Sequence, residues 1–123
     1  MRIPKPILER RRSVRLEEAL PFKIGLEGFE QEAATLNVSS HGAMCLLEKD
    51  IPMMTKLSMV ITLFVPSQKI SFRKKRNIHL KGVVVRKEID PATGQFQTAI
   101  FFSDITAEDQ EVLDEYILSR LKK

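Results

Sequence analysis

The sequence predicts an all-β-dominated chain: a six-stranded antiparallel β-barrel with a carboxy-terminal α-helix. Three observations predict it. Apolar residues recur with period two in several short segments, turn signals separate those segments, and residues 106–122 switch to a helical period behind a capping threonine. At 123 residues the chain has room for one domain, which buries about two thirds of its unfolded surface. The expected division is an amino-terminal arm over residues 1–15 and a single barrel domain over 16–123.

Residues 1–15 contain Pro4 and Pro6 and no apolar periodicity, so they read as a flexible extended arm. From Leu20 to Phe29 the apolar side chains alternate, with Leu20, Phe22, Ile24 and Leu26 on one side and Lys23 and Glu27 on the other. That period marks a half-buried strand. A second strand is expected over 31–38 and a third over 43–48, with a break at Asp50-Ile51-Pro52. Leu57, Met59, Ile61, Leu63 and Val65 make the fourth, closed by Pro66.

The polar stretch 66–77, ending in Arg73-Lys74-Lys75-Arg76, is expected to be a long exposed loop with a solvated basic tip. The Val-rich segment 78–87 resumes the sheet. Asp90-Pro91-Ala92-Thr93-Gly94 is a hairpin-turn signal before a last strand over 96–102. Thr106, with Asp109 three residues on, then opens a helix whose face carries Val112, Leu113, Tyr116, Ile117 and Leu121. Its acids lie at the start and Arg120, Lys122 and Lys123 at the end, which complements the helix dipole.

Charge is segregated. The net charge is +4, yet residues 1–15 carry six basic and one acidic side chain and residues 69–87 carry eight basic and none acidic, leaving the remainder at −9. An anionic partner on one face follows from that pattern. Arg10, Arg11, Arg12 and Arg15 concentrate four guanidinium groups in six residues. Arginine donates bidentate hydrogen bonds to phosphate or to the O6/N7 edge of guanine, which lysine does not. Asn37-Val38-Ser39-Ser40-His41-Gly42 reads as a turn between apolar segments, with Gly42 supplying a positive φ or letting a ligand approach the backbone closely.

Arg11-x-x-x-Arg15 and Asn37-x-Ser39-x-x-Gly42, in that order and at that separation, resemble the two signature motifs of the PilZ family. The closing Phe-rich strand, Asp104-Ile105-Thr106 and the capped terminal helix extend the resemblance over most of the chain. It implies a PilZ-like split barrel that binds cyclic di-GMP. Arg11 and Arg15 take the motif's arginine positions; Asn37, Ser39 and Gly42 take the other three. Arg10, directly before the first motif, implies two stacked ligand molecules per protomer. The commoner residue at the Asn37 position is Asp. An amide has one acceptor oxygen where a carboxylate has two, so a forked contact to guanine is expected to weaken without being lost. Arg12 stays outside the expected site.

The residues exclude several other chemistries. Ser39, Ser40 and His41 share one tight turn and cannot take up a nucleophile–base–orienter geometry. The two histidines and the lone Cys45 offer no metal spacing. Cys45 is expected as a small core residue in a reducing compartment. No stretch approaches the roughly 18 apolar residues of a membrane span. The expectation is therefore a cytoplasmic receptor, not an enzyme, with no cofactor beyond its ligand. Its arm orders over the nucleotide and it signals in trans to a downstream protein that the sequence does not name. Two alternatives remain open: a basic barrel that binds nucleic acid, disfavoured by the scarcity of stacking aromatics, and a PilZ-like interaction module that has lost its nucleotide.

Overall fold

The computed structural model describes residues 15–26, 28–66 and 73–121. Six antiparallel strands close into a barrel in the order β1-β2-β3-β6-β5-β4. The strands are β1 (Pro21–Leu26), β2 (Phe29–Val38), β3 (Gly42–Leu47), β4 (Lys56–Pro66), β5 (Arg73–Ile89) and β6 (Phe96–Ile105), followed by α1 (Ala107–Leu121). Closure comes from β1, which pairs with β2 on one side and with β4 on the other, Phe22 lying opposite Ile61. Of the expected arm over residues 1–15, residues 1–14, with Arg10, Arg11 and Arg12, lie outside the described residues.

Alternation fixes the inside of the barrel. Along β4, Leu57, Met59, Ile61 and Leu63 are buried while Lys56 and Ser58 face out, because successive side chains of a strand point to opposite faces. Phe22 and Ile24 of β1, Ile78 and Val84 of β5, and Ile100 and Phe102 of β6 meet them in one core. Leu113, Tyr116 and Ile117 of α1 join the same cluster. Thr106 caps the helix, its hydroxyl accepting from Asp109 N at 3.1 Å. Leu121, expected on the buried face, is instead exposed in the last turn.

Most strand boundaries shift by one to three residues, and two differences matter for the site and the helix. The basic run Arg73–Arg76 is not a loop tip: it begins the 17-residue β5 and pairs along β4, from Pro66 opposite Arg73 to Leu63 opposite Arg76. Arg76 approaches Glu108 and Asp109 in the first turn of α1, at 3.9 Å each. The last strand also runs on to Ile105. At the other hairpin the turn signal holds: Asp90 accepts from Gln97 Nε2 (2.7 Å), Thr93 Oγ1 (2.8 Å) and Thr93 N (3.0 Å), and Gly94 adopts a left-handed φ of 77°. Those donors, Gln97 first, hold the Asp90 carboxyl below the usual carboxylate range.

Candidate functional site

The segment entering the barrel is pinned before β1 begins. Leu16 makes a two-way backbone bridge to Val38, N to O in both directions, at 2.8 and 3.0 Å. Thr35 adds a second fastening: its hydroxyl donates to Glu18 O at 2.6 Å and accepts from Leu20 N at 3.0 Å. These bonds hold Arg15 beside the end of β2. There Arg15 Nη1 donates to Asn37 Oδ1 at 2.8 Å, joining two side chains 22 positions apart.

The turn after β2 is tied on both flanks. Ser39 N donates to Gly42 O at 2.8 Å, and the Ser39 hydroxyl accepts from His41 N at 3.2 Å while lying 3.3 Å from Gly42 O. At 2 % exposure, Ser39 thus serves first to hold the turn shut. Phe102 N donates to His41 O at 2.8 Å, and Gln110 Nε2 of α1 donates to Ser40 O at 2.7 Å. His41 itself is exposed, with Nδ1 3.1 Å from Ser40 Oγ.

Gly42 has a specific reason to be glycine, and it is not a positive φ, which among the described glycines belongs to Gly28 and Gly94. A Cβ on Gly42 would stand 2.6 Å from Ile100 O across the β3–β6 pairing. The close approach demanded of this position is therefore made by the neighbouring strand.

Arg15, Ser39, His41 and Gly42 border a groove of about 390 Å³. Its other wall is apolar, with Val85, Ala99 and Phe101. The site thus combines a guanidinium, an amide and an imidazole with an uncharged surface, which suits a ligand having both anionic and flat ring parts. Of the six residues expected from sequence, Arg15, Ser39 and Gly42 line this groove and Asn37 is joined to it through Arg15; Arg10 and Arg11 fall outside the described residues. Among the described residues no group of three His, Cys, Asp or Glu side chains could hold a metal ion, and no helix is long and apolar enough to cross a membrane.

The family model for the PilZ domain matches residues 9–119, which takes in both motifs and nearly all of α1. The chain belongs to the PilZ family. Among solved structures, this PilZ chain is similar to the inhibitor of motility of Bacillus subtilis (MotI/DgrA), with a TM-score of 0.73 and 26% identity. That similarity covers 92% of this chain and 51% of the other, so this chain spans about half the length of that relative. It also shares its fold with the PilZ domain of YcgR from Escherichia coli, solved with c-di-GMP, at a TM-score of 0.58 and 18% identity over 92% of each chain. No curated protein sequence matches it.

Three contributors to this PilZ site are absent from the sequence reasoning. Phe101 had a visible signal: in a strand, the doublet Phe101-Phe102 must send one ring in and the other out. Val85 had a fainter one: it falls on the outer face of a strand whose Ile78, Leu80 and Val84 are buried. The third, Glu18, braces the site from behind. Its carboxylate accepts from Tyr116 OH at 2.5 Å and from Arg120 Nε and Nη2 at 3.0 and 3.2 Å, tying the segment that carries Arg15 to α1.

Proposed function

We propose that this PilZ domain is a cytoplasmic receptor for cyclic di-GMP whose arginine-bearing arm rearranges on binding and presents a changed surface to a downstream protein in trans. The observation that carries this reading is the 2.8 Å bond from Arg15 to Asn37, which joins one residue from each signature motif. Family membership supports it, as does the c-di-GMP bound by the PilZ domain of YcgR.

In this reading Arg15 spends one of its five N–H donors on Asn37 and offers the others to phosphate. Asn37, with its oxygen engaged by Arg15, contributes amide N–H donors that match guanine O6/N7 or a phosphate oxygen. Arg11 and Arg10 complete the basic side, and Arg10 is the basis for two ligand molecules per chain. The ordering of an arm costs roughly 1–2 kcal/mol per residue, which the phosphate contacts must offset. Two tethers run from the site to α1: Gln110 to the Ser40 carbonyl, and Tyr116 with Arg120 to Glu18. They offer a route by which a moved arm or turn reaches the helix.

The test is calorimetric titration of nucleotide-free protein with cyclic di-GMP, beside GMP and an unrelated cyclic dinucleotide, repeated on Arg15→Ala. Selective, saturable binding at two ligands per chain, lost in the variant, is the expected result. No heat and no shift in melting temperature at millimolar cyclic di-GMP would overturn the receptor reading, and a stoichiometry of one would overturn the role given to Arg10.

A further inference from the structure

We infer that Phe101, flanked by Val85, is the platform on which a purine ring of the ligand stacks, so that a residue outside both signature motifs sets the site's demand for a large flat base. The inference rests on the receptor reading and deepens it. Large apolar side chains exposed one at a time are ordinary on a protein surface. Phe101 differs in where it stands. It lies directly opposite Gly42 across the β3–β6 pairing and opposite Val83 across β5–β6. It is half exposed, at 50%, and lines the same groove as Arg15 and His41.

Three local features keep that surface open. Gly42 has no side chain to lie over Phe101 from the strand on one side. On the other side, Val85 lies on the outer face of β5 at 44% exposure and adds apolar area to the same groove. Along β6 itself the neighbouring groove residue is Ala99, too short to cover anything. Arg15 and His41 stand at the polar border of the groove. A base placed on the phenyl face would bring its hydrogen-bonding edge and attached phosphate toward those groups. Stacking against an aromatic ring needs only the π-face of the base and strengthens with ring area, which favours a purine over a pyrimidine.

The chain contains no tryptophan and a single tyrosine, so Phe101→Trp introduces one unambiguous fluorophore on an exposed position. Three proteins are compared by calorimetry with cyclic di-GMP and cyclic di-UMP: wild type, Phe101→Ala and Phe101→Leu. Phe101→Trp is followed by fluorescence. The expected results are a loss of about 5- to 150-fold in cyclic di-GMP affinity for Phe101→Ala, a loss nearly as large for Phe101→Leu, and saturable quenching of the introduced indole with unchanged melting temperature before ligand is added. Wild-type preference for cyclic di-GMP over cyclic di-UMP should shrink in Phe101→Ala. Wild-type affinity in Phe101→Ala, with no quenching of the indole in Phe101→Trp, would overturn the platform and leave the receptor reading standing. Absence of binding in the wild type would remove both.

Discussion

Replacing Gly42 by alanine tests whether the glycine of the second motif serves the strand pairing or the ligand. The added Cβ would sit 2.6 Å from Ile100 O and 3.6 Å from both Ile100 C and Phe101 Cα. Ordinary van der Waals contact begins near 3.4 Å, so the strands must part by about 0.8 Å at this point. Neither strand is free to move. Gly42 starts the run of β3–β6 pairs that ends at Leu47 opposite Phe96, and Phe102 N to His41 O and Ser39 N to Gly42 O, both 2.8 Å, flank it. A displacement of that size takes one of those bonds out of range. Overpacking of a tight site costs about 1–3 kcal/mol, and a lost backbone hydrogen bond about 1 kcal/mol more. The sum, about 2–4 kcal/mol, corresponds to a melting-temperature drop of roughly 8–16 °C for a chain of this length. The control is Gly28→Ala. Gly28 has a φ of 76° and nothing within 4 Å of a new Cβ, so its cost is the left-handed strain alone, about 1–2 kcal/mol. Thermal and urea unfolding followed by circular dichroism give both values without ligand. A Gly42→Ala protein that melts within 2 °C of wild type, or above Gly28→Ala, refutes the close-approach argument and returns the glycine to the ligand.

Two further predictions concern single titratable groups. Burial, and then the hydrogen bond to Glu18, push the Tyr116 phenol from 10 up to about 12. Because the folded value is the higher, the stabilisation is complete below pH 10 and is lost as the pH rises from 10 through 12. Phenolate absorbance after a rapid alkaline jump reads the only tyrosine of the chain; a native midpoint of 10 would contradict the buried contact, and Glu18→Gln should lower the midpoint. Cys45 is fully buried, its thiol pushed up to about 12 by burial, with Sγ 3.5 Å from Thr98 O. An aromatic disulfide reagent at pH 8 should leave it unlabelled in the native protein and label it at once in urea; fast native labelling would show that the barrel wall opens there.

The legible parts of the fold were those where one face of a strand is buried, because burial imposes the alternation that sequence displays. Leu57 to Leu63 and Leu20 to Ile24 follow it. The start of β5 was not legible for the converse reason. Arg73 to Arg76 pair with the far end of β4, where Phe64 and Lys75 are both exposed, so no apolar face was required and four basic residues read as loop. Sequence separation also divides the candidate site. Arg15, Asn37, Ser39 and Gly42 lie within one arm–strand–turn unit, and their spacing carries a pattern. Val85, Ala99 and Phe101 reach the same groove only through the β3-β6-β5 neighbour order.

One bulge explains what remained hidden. A register shift between Thr35 and Asn37 falls at Leu36, which is 42% exposed and still in the outward phase of Glu30, Glu32 and Ala34. The count breaks just after it: Thr35 and Val38 are both buried, so two residues instead of one stand between them. In β2 the extra residue falls immediately before Asn37, so the bulge sets the phase in which Asn37 meets Arg15. In β5, by contrast, Val85 is exposed in the ordinary alternation after buried Ile78, Leu80 and Val84. The barrel wall that carries Asn37 therefore owes that residue's position to a one-residue slip in a strand, a feature that arises from pairing and leaves no periodic trace in the chain.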